Sequence, residues 1–147
     1  MVNYNELTCH ELKGIIDNQE VSSEEVVNSV FDRIDKIEPK VHAYISLFRD
    51  SAQQDAKVID NQIKKGATVG KLSGIPIAIK DVMCTKGKFT TCGSRIIENY
   101  IPPYDATVVE RVKNEGIIIT GKTNTDEFAM GSSTENSAFG YSRNPWE

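Results

Sequence analysis

Cysteine, histidine and tryptophan are scarce in this chain: its 147 residues include three, two and one of them. Cys9, Cys84 and Cys92 form no C-x-x-C pair, and His10 and His42 are the only histidines, so no metal-ligand spacing exists. The thiols are expected to be free and reduced, as in the cytoplasm. No N-x-[ST] sequon occurs, and the opening residues, MVNYNELTCHEL, contain no signal-peptide core. No apolar run approaches the roughly 20 residues that cross a bilayer. Basic excess is also missing. The net charge of -4 and pI near 5.3 give no ground for nonspecific binding to nucleic acid or acidic membranes.

What is present describes a folded domain. Hydrophobic residues make up 39% and charged residues 26%, enough apolar content for a core in one modest domain. Two capping boxes open the chain. Thr8 with Glu11, and Ser22 with Glu25, have the S/T-x-x-E spacing in which side chain and backbone satisfy each other at a helix start. Cys9, Leu12, Ile15 and Ile16 share a face of the first helix. Val26, Val27, Val30, Phe31, Ile34 and Ile37 stripe the second, which Pro39 is expected to close. Residues 42–47 read as a short strand. A third helix is expected from Asp50 or Ser51, carrying Ala52, Ala56, Ile59 and Ile63 and ending at Gly66.

After Lys71 the pattern changes. Residues 75–79 are apolar at odd and even positions alike, which predicts a strand buried on both faces. Residues 86–104 are rich in turn formers and should meander. Asp105 is expected to cap a helix with Val108, Val109 and Val112, stopped by Gly116, and residues 117–120 form a second buried strand. Residues 121–147, full of Gly, Ser, Thr and Asn, read as a functional loop region. Helices followed by alternating strand and helix imply an α/β fold.

Residues 116–123, GIIITGKT, match the phosphate-loop pattern letter for letter. A phosphate loop needs a strand before it and a curled backbone within it. Here the middle of the motif is a β-branched run, which favours extended backbone. A buried strand ending in a polar turn is therefore expected instead of a nucleotide site.

Lys80 ends the first apolar strand and admits two readings. Its stem could cover apolar surface while the amine reaches water. Alternatively, a desolvated and neutral amine could serve as general base to a serine hydroxyl. Asp81 complicates the second reading, because a carboxylate touching that amine would hold its proton.

Residues 74–81, GIPIAIKD, resemble the strand that bears the catalytic lysine of amidase-signature enzymes. TTCGSRIIENYIPPYDATVVERV (90–112) adds to the likeness. GKTNTDEFAMGSSTENSAFGYSRNPWE (121–147) is similar to the segment preceding the serine-glycine-rich signature in A subunits of tRNA-dependent amidotransferases. The N-terminal helices match in pattern only. Val82 and Met83 depart from the family, where an asparagine is more usual.

The resemblance implies a mixed β-sheet covered by helices, preceded by a helical segment. Residues 1–147 would be the N-terminal portion of a single amidase domain, 1–70 mainly helical and 71–147 the start of the α/β core. Lys80 falls at the family's catalytic lysine, and Met130, Gly131 and Ser132 fall in the segment lining its amide pocket. The family cleaves amides with a serine nucleophile, a second serine in a cis peptide and the lysine as base, without a metal or cofactor in this subunit. The A subunit releases ammonia from glutamine. A partner B subunit, using ATP and Mg, amidates glutamate mischarged on tRNA(Gln) and makes most of the tRNA contact, and a C subunit braces the complex. Both serines would follow the Asn144–Trp146 element, beyond Glu147, so these residues alone are expected to be inactive, and marginally stable or associating. Another small-amide hydrolase of the same family, or a non-catalytic interaction fragment, are the alternatives. Asp126 and Glu127 are expected to serve a helix's first turn, Trp146 to pack, and Ser132 and Ser133 to touch substrate or satisfy a turn.

Overall fold

The computed structural model describes residues 3–146. Its elements are α1 (Cys9–Asp17), α2 (Ser23–Val41), β1 (Tyr44–Leu47), α3 (Arg49–Lys64), β2 (Pro76–Lys80), α4 (Thr107–Asn114) and β3 (Ile118–Thr123), with short 3-10 turns at Tyr4–Glu6 and Glu127–Ala129. The described residues form one three-stranded sheet in the order β1-β3-β2. β1 runs antiparallel to β3, pairing Tyr44 with Thr123 and Leu47 with Gly121 across a bulge. Along β2 and β3 the bonded pairs advance together, from Ile118 N–H on Ile75 O to Asp81 N–H on Thr123 O. Those strands are therefore parallel, joined through α4 as a β-α-β unit, and the sheet is mixed. The chain clusters into two compact units that interleave along the sequence: residues 1–36, 48–77 and 111–120, and residues 37–47, 78–110 and 121–147.

In the first unit, Leu12, Ile16, Val21, Val26 and Ile75 form a buried cluster, with Leu7, Ile15 and Ile63 against it. The Thr8–Glu11 box is complete, with Glu11 N–H bonding Thr8 Oγ1 and Thr8 N–H bonding the Glu11 carboxylate. The Ser22–Glu25 box is reciprocal too. The start of α2 has a further support from α3: Asp60 accepts the N–H groups of Ser23 and Glu24 at 2.8 and 3.1 Å. A carboxylate there satisfies orphan donors and complements the positive helix end.

Pro39 does not close α2 but lies inside it. In the last turn the ring removes one hydrogen bond, and His42 N–H still reaches Glu38 O at 2.9 Å. His42, in the left-handed region (φ 54), ends the helix. α3 starts at Arg49, earlier than the pattern suggested. Asp105 sits one residue before the capping position of α4, which Ala106 occupies, and its Oδ1 accepts Lys86 N–H at 2.7 Å. β2 is buried at Ile79 but only half-buried at Pro76, Ile77 and Ala78.

The phosphate-loop look-alike is a strand through its last residue, longer than expected, because β1 pairs with its second half. Each of its glycines has a structural task. A side chain at Gly121 would lie 2.4 Å from Ser46 O. Gly116 has φ +83 as α4 stops, and a Cβ there would lie 2.9 Å from Ser73 Cα. Gly116→Ala should therefore cost about 1–3 kcal/mol, from left-handed backbone and overlap together. A shift in the urea midpoint measures this, and an unchanged midpoint would count against it.

Candidate functional site

The second unit contains every residue to which the sequence assigned chemistry. Parallel β-sheets present ligands to the carboxyl ends of their strands. Lys80 is the last residue of β2, and the loops that follow β2 and β3 hold the remaining candidates.

Successive side chains of a strand point to opposite faces. Lys80 is exposed and Asp81, the next residue, is wholly buried. Of the two readings of Lys80, the exposed side chain within this chain matches the strand-end lysine that reaches water. Among the described residues, its amine has no hydrogen bond or ion pair. The Asp81 carboxylate does not hold it. Asp81 Oδ2 accepts both the N–H and the hydroxyl of Thr91, and Oδ1 faces the Lys122 amine at 3.3 Å, an ion pair without hydrogen-bond alignment.

Lys122 is therefore the buried lysine of this chain, with no exposed surface. Its amine donates to Met83 O at 2.8 Å and Thr90 Oγ1 at 2.9 Å. Burial pushes the Lys122 amine below the ordinary lysine value, and Asp81 pulls it back up. Burial, then the Asp81 charge, push the neighbouring Cys92 thiol up, away from thiolate reactivity. Sequence reasoning missed this cluster. Strand alternation was the available signal that separates Asp81 from Lys80, but it does not tell which face is covered or that Lys122 points to it.

Backbone bonds run from the end of β2 to the loop after β3. Cys92 N–H donates to Asp81 O at 3.2 Å, and Phe128 N–H to Cys92 O at 2.7 Å. Cys92, Phe128, Ala129 and Thr134 all have positive φ, a conformation that non-glycine residues hold only when the surroundings over-determine it. Met130, Gly131 and Ser132 follow as an exposed segment, with Met130 79% exposed. Asp126 precedes the short Glu127–Ala129 turn, yet its side chain makes no capping bond there. It accepts the N–H groups of Ser133, Thr134 and Asn136 at 3.2, 2.9 and 3.0 Å. These bonds, the one from Asn136 foremost, hold its carboxyl below the usual carboxylate range. Glu127 accepts the Ser94 hydroxyl. Trp146, expected to pack, is 92% exposed, since nothing in the described chain covers it. Ser133 bonds Glu135 in its own turn. Among the described residues there is no group of three or more metal-ligating side chains, and no helix is long and apolar enough to cross a membrane.

The family model described as Amidase matches residues 25–147. The A subunit of glutamyl-tRNA(Gln) amidotransferase from Desulfosudis oleivorans is 54% identical over 140 residues, spanning 95% of this chain and 29% of that protein. Its counterpart in Syntrophus aciditrophicus is 55% identical over 142 residues, 97% of this chain and 29% of the relative. The crystal structure of the Thermotoga maritima counterpart superimposes with a TM-score of 0.78 at 38% identity, over 100% of this chain and 29% of that one. This chain thus spans about 29% of the length of the curated relatives it matches.

Two outcomes are expected. Lys122→Met leaves Asp81 buried and unpaired and should cost about 3–5 kcal/mol in urea unfolding, part of which a second change, Asp81→Asn, recovers. Equal losses in the single and double variants would contradict the pairing. Asp126 has a lowered folded-state value, so its contribution is fully present above its unfolded value of about 3.9 and fades as pH falls through the lower folded value. The stability gap between the native chain and Asp126→Asn should therefore narrow below about pH 4. A gap constant down to about pH 2 would refute this.

Proposed function

Given that the chain belongs to the Amidase family, we propose that it supplies the base-bearing part of a glutamine-hydrolysing A subunit of a tRNA-dependent amidotransferase. In this reading Lys80 is the proton acceptor. A bridging serine, supplied by the longer protein, relays to Lys80 the proton of a serine nucleophile. The nucleophile attacks the side-chain amide of glutamine while residues 130–132 line the amide's pocket. Ammonia then passes to a B subunit that amidates Glu-tRNA(Gln) with ATP and Mg, in a cytoplasmic complex completed by a C subunit. Residues 1–147, as the N-terminal portion of one amidase domain, carry the base without the serine pair and hydrolyse no glutamine alone.

One observation carries the assignment to Lys80. Its amine stands exposed and unpaired at the carboxyl end of β2, because the adjacent carboxylate is committed to Lys122 and Thr91 on the other face. A base must not be tied to a neighbouring acid, and strand alternation meets that condition here. It must also be desolvated to stay neutral, which in this reading the longer protein does by covering the amine.

Lys80→Ala in the full-length protein, assembled with its partner subunits, should lower glutamine hydrolysis by about 10²–10⁴-fold. Its urea midpoint should move less than that of Lys122→Met, since Lys80, unlike Lys122, has no buried carboxylate partner among the described residues. Undiminished hydrolysis would refute the assignment. Hydrolysis of simple amides without glutamine-dependent amidation of Glu-tRNA(Gln) would point instead to a small-amide hydrolase of the same family.

A further inference from the structure

We propose that Asp126 is a positioning residue for amide recognition, holding the main chain of residues 130–132 in the shape that receives the substrate's carboxamide. This deepens, and rests on, the reading of the site given above.

The Asp126 side chain lies beneath that segment and is 3% exposed. Oδ2 accepts Ser133 N–H and Thr134 N–H, and Oδ1 accepts Asn136 N–H and, at 3.3 Å, Asn136 Nδ2. Three main-chain N–H groups within residues 133–136 thereby converge on one carboxylate. Gly131 rests directly on it: a Cβ at that position would lie 2.5 Å from Asp126 Cγ. The left-handed Phe128, Ala129 and Thr134 flank the segment on both sides. Such backbone persists where surrounding bonds enforce it. The carboxylate supplies them at Thr134, while Phe128 N–H is held by Cys92 O and Ala129 N–H by the main-chain carbonyl of Asp126.

The opposite side of the segment faces outward with its hydrogen-bonding groups unused. Met130 N–H is spent on Glu127 O at 3.0 Å. Among the described residues, the N–H groups of Gly131 and Ser132 and the carbonyls of residues 130–132 have no hydrogen-bond partner. A carboxamide has an acceptor oxygen and two N–H donors. A short run of main chain offering both donors and acceptors is its complement, and a rigid run binds it at lower entropic cost than a loose one. Asp126 supplies that rigidity without touching the substrate.

The test uses the full-length protein assembled with its partner subunits, assayed with glutamine. Asp126→Ala should raise KM for glutamine roughly tenfold with kcat within about threefold, the pattern of lost ground-state binding. Asp126→Asn keeps the volume and one acceptor oxygen, so it should fold and show a smaller rise in the same direction. That variant carries the test if the alanine variant fails to fold. KM within about twofold of the native value in the folded variants, alongside a lowered urea midpoint, would reduce Asp126 to a strut and overturn the proposal. The two readings fail separately. Hydrolysis that survives Lys80→Ala sinks the site itself, whereas intact dependence on Lys80 with unmoved KM in both Asp126 variants sinks this inference alone.

Discussion

The buried pairing of Lys122 with Asp81 is the constraint on which the second unit is organised. Asp81 follows Lys80 directly, and two unlike charges on adjacent residues would ordinarily neutralise each other. A second lysine, on the adjoining strand, removes that option. Lys122 fills the space under β2, donates to Met83 O and Thr90 Oγ1, and faces Asp81 across 3.3 Å. Taking both ions out of water is costly, so the pair is weak evidence of net stability. Its effect is orientational. With Asp81 anchored inward by Lys122 and Thr91, strand geometry leaves Lys80 facing outward and unencumbered.

Two buried carboxylates in this unit are satisfied by different means. Asp81 meets a cation and a threonine. Asp126 meets only hydrogen-bond donors, three of them main-chain N–H groups. A cation balances charge from one direction and fixes the facing of a strand. Convergent N–H groups draw separate stretches of backbone onto one point, which suits a loop that must hold left-handed residues. The carboxylate of Asp126 is enclosed by its own loop rather than by depth in a core. Its lowered ionisation accordingly arises from those hydrogen bonds, with burial opposing them.

Local chemistry was legible where partners are close in sequence. Both capping boxes form, Gly116 stops α4 in the left-handed region, and the β-branched run in GIIITGKT is a strand and not a phosphate loop. Departures arise where a distant segment intervenes. β3 continues through Lys122 because β1 pairs with it, Asp60 of α3 reaches the start of α2, and Asp105 accepts the N–H of Lys86, 19 residues earlier in the chain. Pro39 stays within α2 because the final helical turn tolerates one missing bond.

Sequence alone determined the α/β class, the order of elements and the resemblance that marks Lys80, since these rest on side-chain periodicity, turn residues and contiguous motifs. Which lysine is buried, which carboxylate neutralises it, and what supports residues 130–132 were decided only by the tertiary structure. Lys122 meets partners 32 and 39 residues away in the chain, and Asp126 draws in backbone 7 to 10 residues beyond it. No short-range pattern encodes those distances, because burial depends on what the rest of the fold brings over a residue.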